Sequence, residues 1–319
     1  MSLLEVRDLS ISFRSGSSPV KVVSDLSFSI AESEVVGIAG ESGSGKSVTA
    51  LSILGILPPV AFAEGSILFR GQNLMVMKDS DLRRVRGREI SMVFQEPMTS
   101  LNPVLTVGFQ VAEPLMIHQG LSRKASLERA VDLLKEVRIP SPELRVKEYP
   151  HQMSGGMRQR VMIAMALACN PLLLIADEPT TALDVTIQAQ ILDLLKRLRE
   201  SHRMSMLLIT HDLGIIAGHA SRVAIMYAGR LMETAKTEEL FRRPLHPYTR
   251  GLLGSLPKSR GQKLEPIPGF VPSPRQLPKG CSFSDRCSFV MDACRVAEPQ
   301  LVEISASHSA RCIRAGEFA

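Results

Sequence analysis

The chain has 319 residues, of which 45% are hydrophobic, so the sequence predicts one large domain with a substantial core and an appended segment. No apolar run reaches the roughly 18 residues of a membrane span, and Glu5, Arg7 and Asp8 near the start are not typical of a signal peptide. We therefore expect a cytoplasmic protein. The net charge is +6, yet tryptophan is absent and aromatic residues make up only 4%. We interpret the basic excess as solvated surface rather than as a nucleic-acid site.

The first third of the chain contains short apolar runs that predict strands. Leu3–Val6, Leu9–Phe13 and Val20–Ile30 are three such runs, and the alternation of apolar residues with serines in Leu9–Phe13 predicts one apolar face. Gly65–Phe69 is a fourth. Together these runs predict an antiparallel β layer.

A phosphate-loop motif stands among these strands. Gly40–Ser47 fits the pattern G-x-x-x-x-G-K-[ST] at every fixed position. The apolar run Val35–Ala39 predicts a strand before it, and apolar residues at helical spacing from Val48 onward predict a helix that begins inside the loop. A helix start offers unpaired N–H groups and a positive dipole end to an anion. A plain glycine-rich turn is the alternative interpretation.

Each part of this loop has a predicted task. Lys46 would reach the β- and γ-phosphates of a nucleotide, and the hydroxyl of Ser47 would bind Mg²⁺. The predicted nucleotide-binding residues of the loop are Gly40, Glu41, Ser42, Gly43, Ser44, Gly45, Lys46, Ser47 and Val48.

Apolar strands alternate with helices further along the chain. Ile90–Phe94, Leu172–Ala176 and Met206–Ile209 predict buried strands, and such alternation is typical of a parallel sheet. Residues from about 96 to 160 indicate a helical insertion, and residues 223–233 indicate a closing hairpin. The predicted fold is therefore α/β, with a parallel sheet core, an antiparallel β layer and a helical subdomain.

Two carboxylates, Asp177 and Glu178, follow one of these strands. The carboxyl end of a strand is where α/β sheets bind ligands. Asp177 suits a position behind the direct ligands of Mg²⁺, and Glu178 is placed to accept a proton from an attacking water. The alternative is a strand end with two acidic residues in a turn, but a chain that also carries a phosphate loop favours the catalytic interpretation.

The order of the motifs resembles that of ABC-type ATPases, a class of P-loop NTPases. That order is Gly40–Ser47, Gln95, Ser154-Gly155-Gly156, Asp177-Glu178, Asp184 and His211. Three stretches, Phe94–Pro103, Ser154–Arg160 and His246–Thr249, resemble the ATP-binding subunits of the dipeptide/oligopeptide (peptide/nickel) importer family. Met157 departs from the glutamine most common after Ser-Gly-Gly in the class, although methionine occurs in the peptide branch.

The resemblance implies roles for two motifs of the middle region. Gln95 would sense the γ-phosphate or Mg²⁺ and link it to the helical insertion, which in such proteins meets the transmembrane partner. Ser154, Gly155 and Gly156 would bind the γ-phosphate of ATP held by the opposite subunit. Taken alone, Gln95 is an ordinary polar residue after a strand, and the Ser-Gly-Gly element is equally typical of a helix N-cap.

Three further residues receive roles only through the resemblance. His211 would contact the γ-phosphate and orient the attacking water, Asp184 would lie in the Ala182-Leu183-Asp184 loop that crosses the dimer interface, and Phe13 would stack on adenine. Phe13 shares a strand face with Leu9 and Ile11, so a place in the core is the alternative. The predicted catalytic residues are Glu178, His211, Gln95 and Lys46, and the predicted Mg²⁺ residues are Ser47, Gln95 and Asp177.

The implied activity is hydrolysis of ATP with Mg²⁺, coupled to peptide import. The implied partners are two transmembrane permease subunits, a second ABC ATPase that is identical or paralogous and, indirectly, an external solute-binding protein, with no nucleic acid. The implied location is peripheral, on the cytoplasmic face of the inner (plasma) membrane. The alternatives are a non-transport ABC ATPase of DNA repair or translation, a nucleotide-binding module without turnover, and an importer of nickel chelates or another small solute.

The composition changes after residue 243, which gives predicted domains of 1–243 and 244–319. Eight prolines fall between positions 244 and 278, a density typical of a linker or loop-rich extension rather than of a sheet. This C-terminal extension contains four of the five cysteines, and Cys169 in the apolar run before residue 170 indicates a small core residue instead.

The four cysteines of the extension predict a metal centre. Cys281, Cys287, Cys294 and Cys312 could supply four thiolates to tetrahedral Zn²⁺ or to an iron–sulfur cluster. Their spacing lacks the Cys-x2-Cys pairs typical of zinc modules, and the resemblance implies a [4Fe-4S] cluster. Unligated thiols in a flexible tail are the alternative. Since these cysteines are far in sequence from the phosphate loop, we expect the centre to be structural.

Overall fold

A computed structural model of the chain describes residues 2–16, 18–181, 183–256 and 266–318. Its strands are β1 (Ser2–Phe13), β2 (Val20–Ala31), β3 (Val35–Ala39), β4 (Ala61–Phe69), β5 (Gln72–Asn73), β6 (Ile90–Val93), β7 (Leu173–Asp177), β8 (Ser205–Thr210), β9 (Arg222–Tyr227), β10 (Arg230–Lys236), β11 (Val302–Ser305) and β12 (His308–Ala310). Ala182 and residues 257–265 of the predicted linker lie outside the described residues.

The helices follow in the same chain order. They are α1 (Lys46–Ile53), α2 (Asp79–Val85), α3 (Pro97–Ser100), α4 (Val107–Gln119), α5 (Arg123–Glu136), α6 (Pro142–Arg145), α7 (Gly155–Leu167), α8 (Val185–His202), α9 (Leu213–His219), α10 (Thr237–Arg242), α11 (Pro247–Gly254), α12 (Asp292–Val296) and α13 (Ala315–Phe318). Short 3-10 turns lie at Leu74–Val76, Pro150–Gln152 and Ser284–Arg286.

The chain divides into two compact units. The first consists of Met1–Met75 and Leu208–Ala319, and the second of Val76–Leu207. The boundary falls within β8, whose residues up to Leu207 belong to the second unit. The predicted domain boundary at residue 243 and the exact limits of the helical subdomain stay predictions.

The second unit combines a parallel strand pair with helices. β6 and β7 run in parallel, with Ile90 opposite Leu173 and Val93 opposite Ala176, and both strands are buried along their length. The predicted helical insertion is confirmed over α4, α5 and α6. A hydroxyl accepts a backbone hydrogen bond at the start of α4 (Thr106) and of α5 (Ser122), which stabilises each helix N-terminus.

Among the described residues, none of the helices is both long enough and apolar enough to cross a membrane.

The first unit contains the predicted antiparallel layer, with strand order β2-β1-β4-β5. The prediction of two separate strands before residue 14 was wrong, because β1 is continuous. Its pairing with β2 shifts register between Val6 and Leu9, and Asp8 has a positive φ of 49°. Such an irregularity is a β-bulge, which bends a strand without ending it.

The serines on the other face of β1 are buried as well as the predicted apolar face. Ser10 and Ser12 are buried like their neighbours Leu9 and Ile11. The hydroxyl of Ser10 accepts a hydrogen bond from the backbone N–H of Asp25 at 3.1 Å. A buried hydroxyl that has such a partner does not carry the cost of an unsatisfied polar group.

The rest of the first unit is built on strands in the order β11-β12-β10-β9-β3. β3 runs parallel to β9, and β9 and β10 form the predicted hairpin. The prediction that the C-terminal extension contains no sheet was wrong, because β12 pairs antiparallel with β10, with Glu233 opposite Ala310, and β11 pairs with β12. Strands of three or four residues between turns are too short for periodicity to reveal them.

A buried carboxylate on β10 binds two segments of the C-terminal extension. Glu233 on β10 is 0% exposed and accepts hydrogen bonds from the backbone N–H groups of Leu245 (2.7 Å) and His246 (2.9 Å). Its Oε1 also lies 2.7 Å from Nε2 of His308 on β12, and Nδ1 of His308 lies 3.3 Å from Glu239. A buried charge of this kind is tolerated because it is paired and hydrogen-bonded.

We expect this contact to make stability depend on pH. Burial lowers the pKa of His308, but the hydrogen bonds and negative charges of Glu233 and Glu239 outweigh it and raise the pKa above the usual 6.5. A histidine whose pKa is raised in the folded state stabilises fully below its unfolded pKa and loses that effect as pH rises through the folded value. Thermal unfolding should be measured at pH values from below the unfolded pKa of His308 to above its folded pKa. The stability advantage of wild type over His308→Gln should fall as pH rises through this range. An advantage that is constant or grows with pH would contradict this.

Candidate functional site

The phosphate loop has the predicted setting in the first unit. β3 is buried throughout, and α1 begins at Lys46 after a turn in which Gly45 has a φ of 97°. Ser42 and Gly43 are exposed, whereas Ser47 and Val48 are half-buried in the first turn of α1. The start of α1 therefore presents its N–H groups beside an accessible turn, as anion binding requires.

A close backbone approach requires glycine at the start of the loop. Gly40 has a φ of 153°, and a Cβ built there would lie 2.1 Å from the carbonyl oxygen of Met226 on β9. No side chain larger than hydrogen fits against that oxygen without displacing one strand or the other.

Lys46 is the cation of the loop. It is 5% exposed, and its Nζ donates to the carbonyl oxygens of Gly40 (2.7 Å) and Glu41 (3.0 Å) and lies 3.4 Å from Oγ of Ser44. The ammonium group thus lies over the loop backbone. A phosphate oxygen at this position would receive a charge-assisted hydrogen bond.

Phe13 and His211 are the other predicted residues of the first unit. Phe13 ends β1 opposite Val20 and Ala61 and is half-buried, whereas Leu9 and Ile11 on the same strand are fully buried. His211 is exposed in the turn between β8 and α9. The position of Phe13 at the strand end leaves part of its ring available for stacking.

In the second unit, Glu178 is held by two hydrogen-bond donors. Its Oε2 accepts from Nε2 of Gln95 at 3.0 Å and from Oγ1 of Thr181 at 2.9 Å. The parallel pairing of β6 and β7 brings Gln95 and Glu178 together, because each follows the carboxyl end of its strand. Glu178 is half-buried with a φ of 44°, and Asp177 before it is 4% exposed. A carboxylate fixed in this way can accept a proton in a defined direction.

The Ser-Gly-Gly element and Asp184 are both helix starts. Ser154 caps α7 by accepting from the N–H of Met157 at 3.3 Å, and Asp184 caps α8 by accepting from the N–H of Ile187 at 3.0 Å. The two starts are close together, since a Cβ on Gly156 would lie 2.9 Å from the Ile187 side chain. Val185, directly after Asp184, is 83% exposed. The predicted trans-acting residues thus lie at two neighbouring helix starts of the second unit.

The four cysteines of the extension line a single narrow pocket, together with Phe283 and Phe289, and the cavity volume is about 20 Å³. Burial is the main cause that raises the pKa of Cys287, of Cys312 and of Cys281, the last to about 12. Neighbouring cysteines contribute in the same direction. Elsewhere, Cys169 lies 3.5 Å from the carbonyl oxygen of Pro114. In the described part of the chain, no three His, Cys, Asp or Glu side chains are gathered closely enough to hold one ion.

Two residues that touch the phosphate loop escaped the sequence analysis. Arg286 forms an ion pair with Glu41, and the hydroxyl of Tyr248 accepts a hydrogen bond from the N–H of Glu41. Tyr248 belongs to the stretch His246–Thr249, whose likeness to the peptide branch was the one available hint. No pattern in the sequence marks Arg286.

Two stretches of the chain match known protein families. Residues 23–181 match the ABC transporter family, and residues 232–294 match the C-terminal region of oligopeptide/dipeptide transporters. The first match contains the phosphate loop, Gln95, Ser154 and Glu178. The second contains Tyr248, Arg286 and three of the four clustered cysteines.

Individual relatives extend over nearly the whole chain. The chain is 50% identical over 315 residues to the oligopeptide transport ATP-binding protein AppD of Bacillus subtilis, covering 98% of this chain and 96% of that protein. It is 48% identical over 316 residues to the dipeptide transport ATP-binding protein DppD of Escherichia coli, with the same coverage. A dimeric structure of the ATP-binding cassette MJ0796, bound to ADP and Pi after hydrolysis, is 30% identical with a TM-score of 0.66, covering 73% of this chain and 98% of that chain.

Proposed function

The chain belongs to the ABC transporter family, in its oligopeptide/dipeptide branch, and we propose on this premise that it hydrolyses ATP to power peptide import. The resemblance drawn from its motifs is confirmed, and so is the fold of an ABC ATPase cassette with a mixed sheet and helices. Relatives at about this identity are named for peptide transport, which does not favour a role in DNA repair or translation.

As the ATP-binding subunit of an importer, the chain works with membrane permease subunits, a second ATPase subunit and a substrate-binding protein. It is peripheral, at the cytoplasmic face of the membrane. Because the permease and the binding protein meet the cargo, this subunit supplies free energy and leaves the choice of peptide to them.

The observation that carries the proposal of hydrolysis is the fixed carboxylate of Glu178. Gln95 and Thr181 both donate to Oε2, and a carboxylate held in one orientation is suited to accept the proton of a water that attacks the γ-phosphate. Lys46 and the N–H groups at the start of α1 bind the phosphates, and His211 orients the water. Ser47, Gln95 and Asp177 are the residues that would hold Mg²⁺, which would neutralise charge on the phosphates.

The Ser-Gly-Gly surface serves the second nucleotide site. Ser154, Gly155 and Gly156 bind the γ-phosphate of ATP held by the opposite ATPase subunit, with Asp184 at the interface between the two. The exposure of Val185 beside Asp184 supports this, because an apolar side chain that is 83% exposed gains stability when a partner covers it. Closure on ATP drives the permease subunits, and hydrolysis reopens the pair. Phe13 stacks on the adenine ring.

We expect Glu178→Gln to bind ATP normally but to hydrolyse it about 10²- to 10⁴-fold more slowly, because the amide cannot accept the proton while the phosphate loop is intact. ATP turnover and equilibrium binding of ATP, measured on the same preparation, test this. Glu200→Gln, on the exposed end of α8, is the matched control and should retain wild-type turnover. Hydrolysis by Glu178→Gln at the rate of this control would remove Glu178 from the role of base.

We propose in addition that Cys281, Cys287, Cys294 and Cys312 hold a [4Fe-4S] cluster. Support comes from the pocket that all four thiols share and from the aromatic side chains that enclose it, since iron–sulfur clusters are held by four cysteine thiolates. A [4Fe-4S] cluster takes one thiolate at each of its four irons, so it does not require the four sulfur atoms to surround a single ion. Such a group would give the loop-rich extension structural support.

Purification without oxygen should therefore give brown protein that contains iron and acid-labile sulfide in equal amounts. Replacing any of the four pocket cysteines by serine should remove most of both, because each thiolate is a ligand. Cys169→Ser is the matched control and should keep its iron, since Cys169 lies outside the pocket. Protein that contains zinc instead, or no metal at all, would contradict the cluster.

A further inference from the structure

The second residue of the phosphate loop is fastened to the C-terminal extension at two points. The carboxylate of Glu41 accepts one hydrogen bond from each terminal nitrogen of Arg286, at 2.7 and 3.0 Å. The backbone N–H of Glu41 donates to the hydroxyl of Tyr248 at 2.9 Å. A residue directly after Gly40 is thus fixed in both side chain and backbone by partners 245 and 207 positions away.

Arg286 is built into the protein rather than lying on its surface. Its side chain is 5% exposed, its Nε donates to the carbonyl oxygen of Pro268 at 2.8 Å, and its guanidinium group lies 5.7 Å from the ring centre of Tyr227 and 6.0 Å from that of Phe283. A paired guanidinium with its remaining donors satisfied has one geometry available. Arg286 is therefore held in place by its other contacts, and it determines the position of the Glu41 carboxylate.

Tyr248 is supported in the same way. It is fully buried, and its ring centre lies 4.7 Å from that of Tyr227 and 5.3 Å from that of Phe283. Aromatic rings at these separations attract each other beyond the area that they bury. The three rings form an aromatic platform (Tyr227, Tyr248 and Phe283) that holds the hydroxyl acceptor under the loop.

The pairing of Glu41 matters for a site that binds phosphate. A carboxylate next to bound phosphates repels them, and a guanidinium beside that carboxylate cancels the repulsion. The hydrogen bond to Tyr248 also fixes the peptide plane between Gly40 and Glu41, whose carbonyl oxygen on the Gly40 side is a partner of Lys46. Charge and backbone geometry at the loop entrance are thus both set by the extension.

We propose that Arg286 and Tyr248 are positioning residues for the phosphate loop, and that the C-terminal extension sets the affinity of this subunit for ATP through Glu41. The inference rests on the proposed binding of ATP by this loop. It goes beyond the structural role expected of the metal centre in the extension, because it joins the extension to the nucleotide site by direct contact.

The same segment also forms the wall of the four-cysteine pocket. Phe283 belongs to the aromatic platform and lines the pocket, and Arg286 lies between Cys281 and Cys287 in the chain. Whatever orders residues 281–287 therefore orders the partner of Glu41 as well. A change in the order of the pocket would therefore affect the phosphate loop through the contact of Arg286 with Glu41.

The test is a titration of the full-length chain with a fluorescent ATP analogue and Mg²⁺. Arg286→Ala should weaken binding roughly 5- to 150-fold, the usual range for coupling between sites, because it leaves the Glu41 carboxylate unpaired. Adding Glu41→Gln in the Arg286→Ala background should restore part of the affinity, since the repelling charge is removed. Tyr248→Phe, which deletes only the hydroxyl and leaves the buried ring, should weaken binding in the same direction.

Arg295→Ala is the matched control, because Arg295 lies in the same extension but pairs with Asp285 on the surface. It should bind the analogue like wild type. The inference is overturned if Arg286→Ala and Tyr248→Phe both bind like this control, or if Glu41→Gln recovers nothing, which would make Arg286 a mere support of the extension. A wild-type chain that fails to bind ATP would instead sink the proposed function itself.

Discussion

The contact between Gly40 and the carbonyl oxygen of Met226 is the constraint on which the rest of the nucleotide site depends. With a hypothetical Cβ only 2.1 Å from that oxygen, the chain can leave β3 in this direction solely through a glycine. The exit direction decides where α1 begins, and α1 begins with Lys46. The close contact of Gly40 with Met226 therefore sets the positions of Lys46, of the helix N–H groups and of the Ser47 hydroxyl. These are the groups that a phosphate-binding loop needs.

The C-terminal extension is an integral part of the first unit. Its strand β12 joins β10, and the buried carboxylate of Glu233 collects hydrogen bonds from Leu245, His246 and His308. A second charged contact, Arg286 with Glu41, reaches the phosphate loop. Both contacts bury charge, which stabilises only when every partner is present. Loss of order in the extension would therefore leave Glu41 of the phosphate loop without its partner Arg286. The extension is thus suited to regulate the nucleotide site.

Local features of the site could be predicted from the sequence, and distant contacts could not. The phosphate loop, the strand before Asp177 and the helical insertion are contiguous patterns, so composition and spacing suffice for them. The contact of Gln95 with Glu178 follows once β6 and β7 are recognised as neighbours. Arg286 is 245 positions from Glu41, with no motif around it. The short strands β11 and β12 and the buried Ser10 were missed because tertiary pairing, not local pattern, decides them.

This chain supplies the energy for peptide uptake, and a measurement of uptake in cells is the most direct test of that role. Cells that lack the gene should be compared with their parent for accumulation of labelled di- and oligopeptides supplied outside. Accumulation of at least one peptide class should fall to background without the gene and return when the wild-type gene is restored, because ATP binding and hydrolysis drive the transport cycle. Unchanged accumulation of every peptide tested, together with loss of uptake of a different solute, would contradict it.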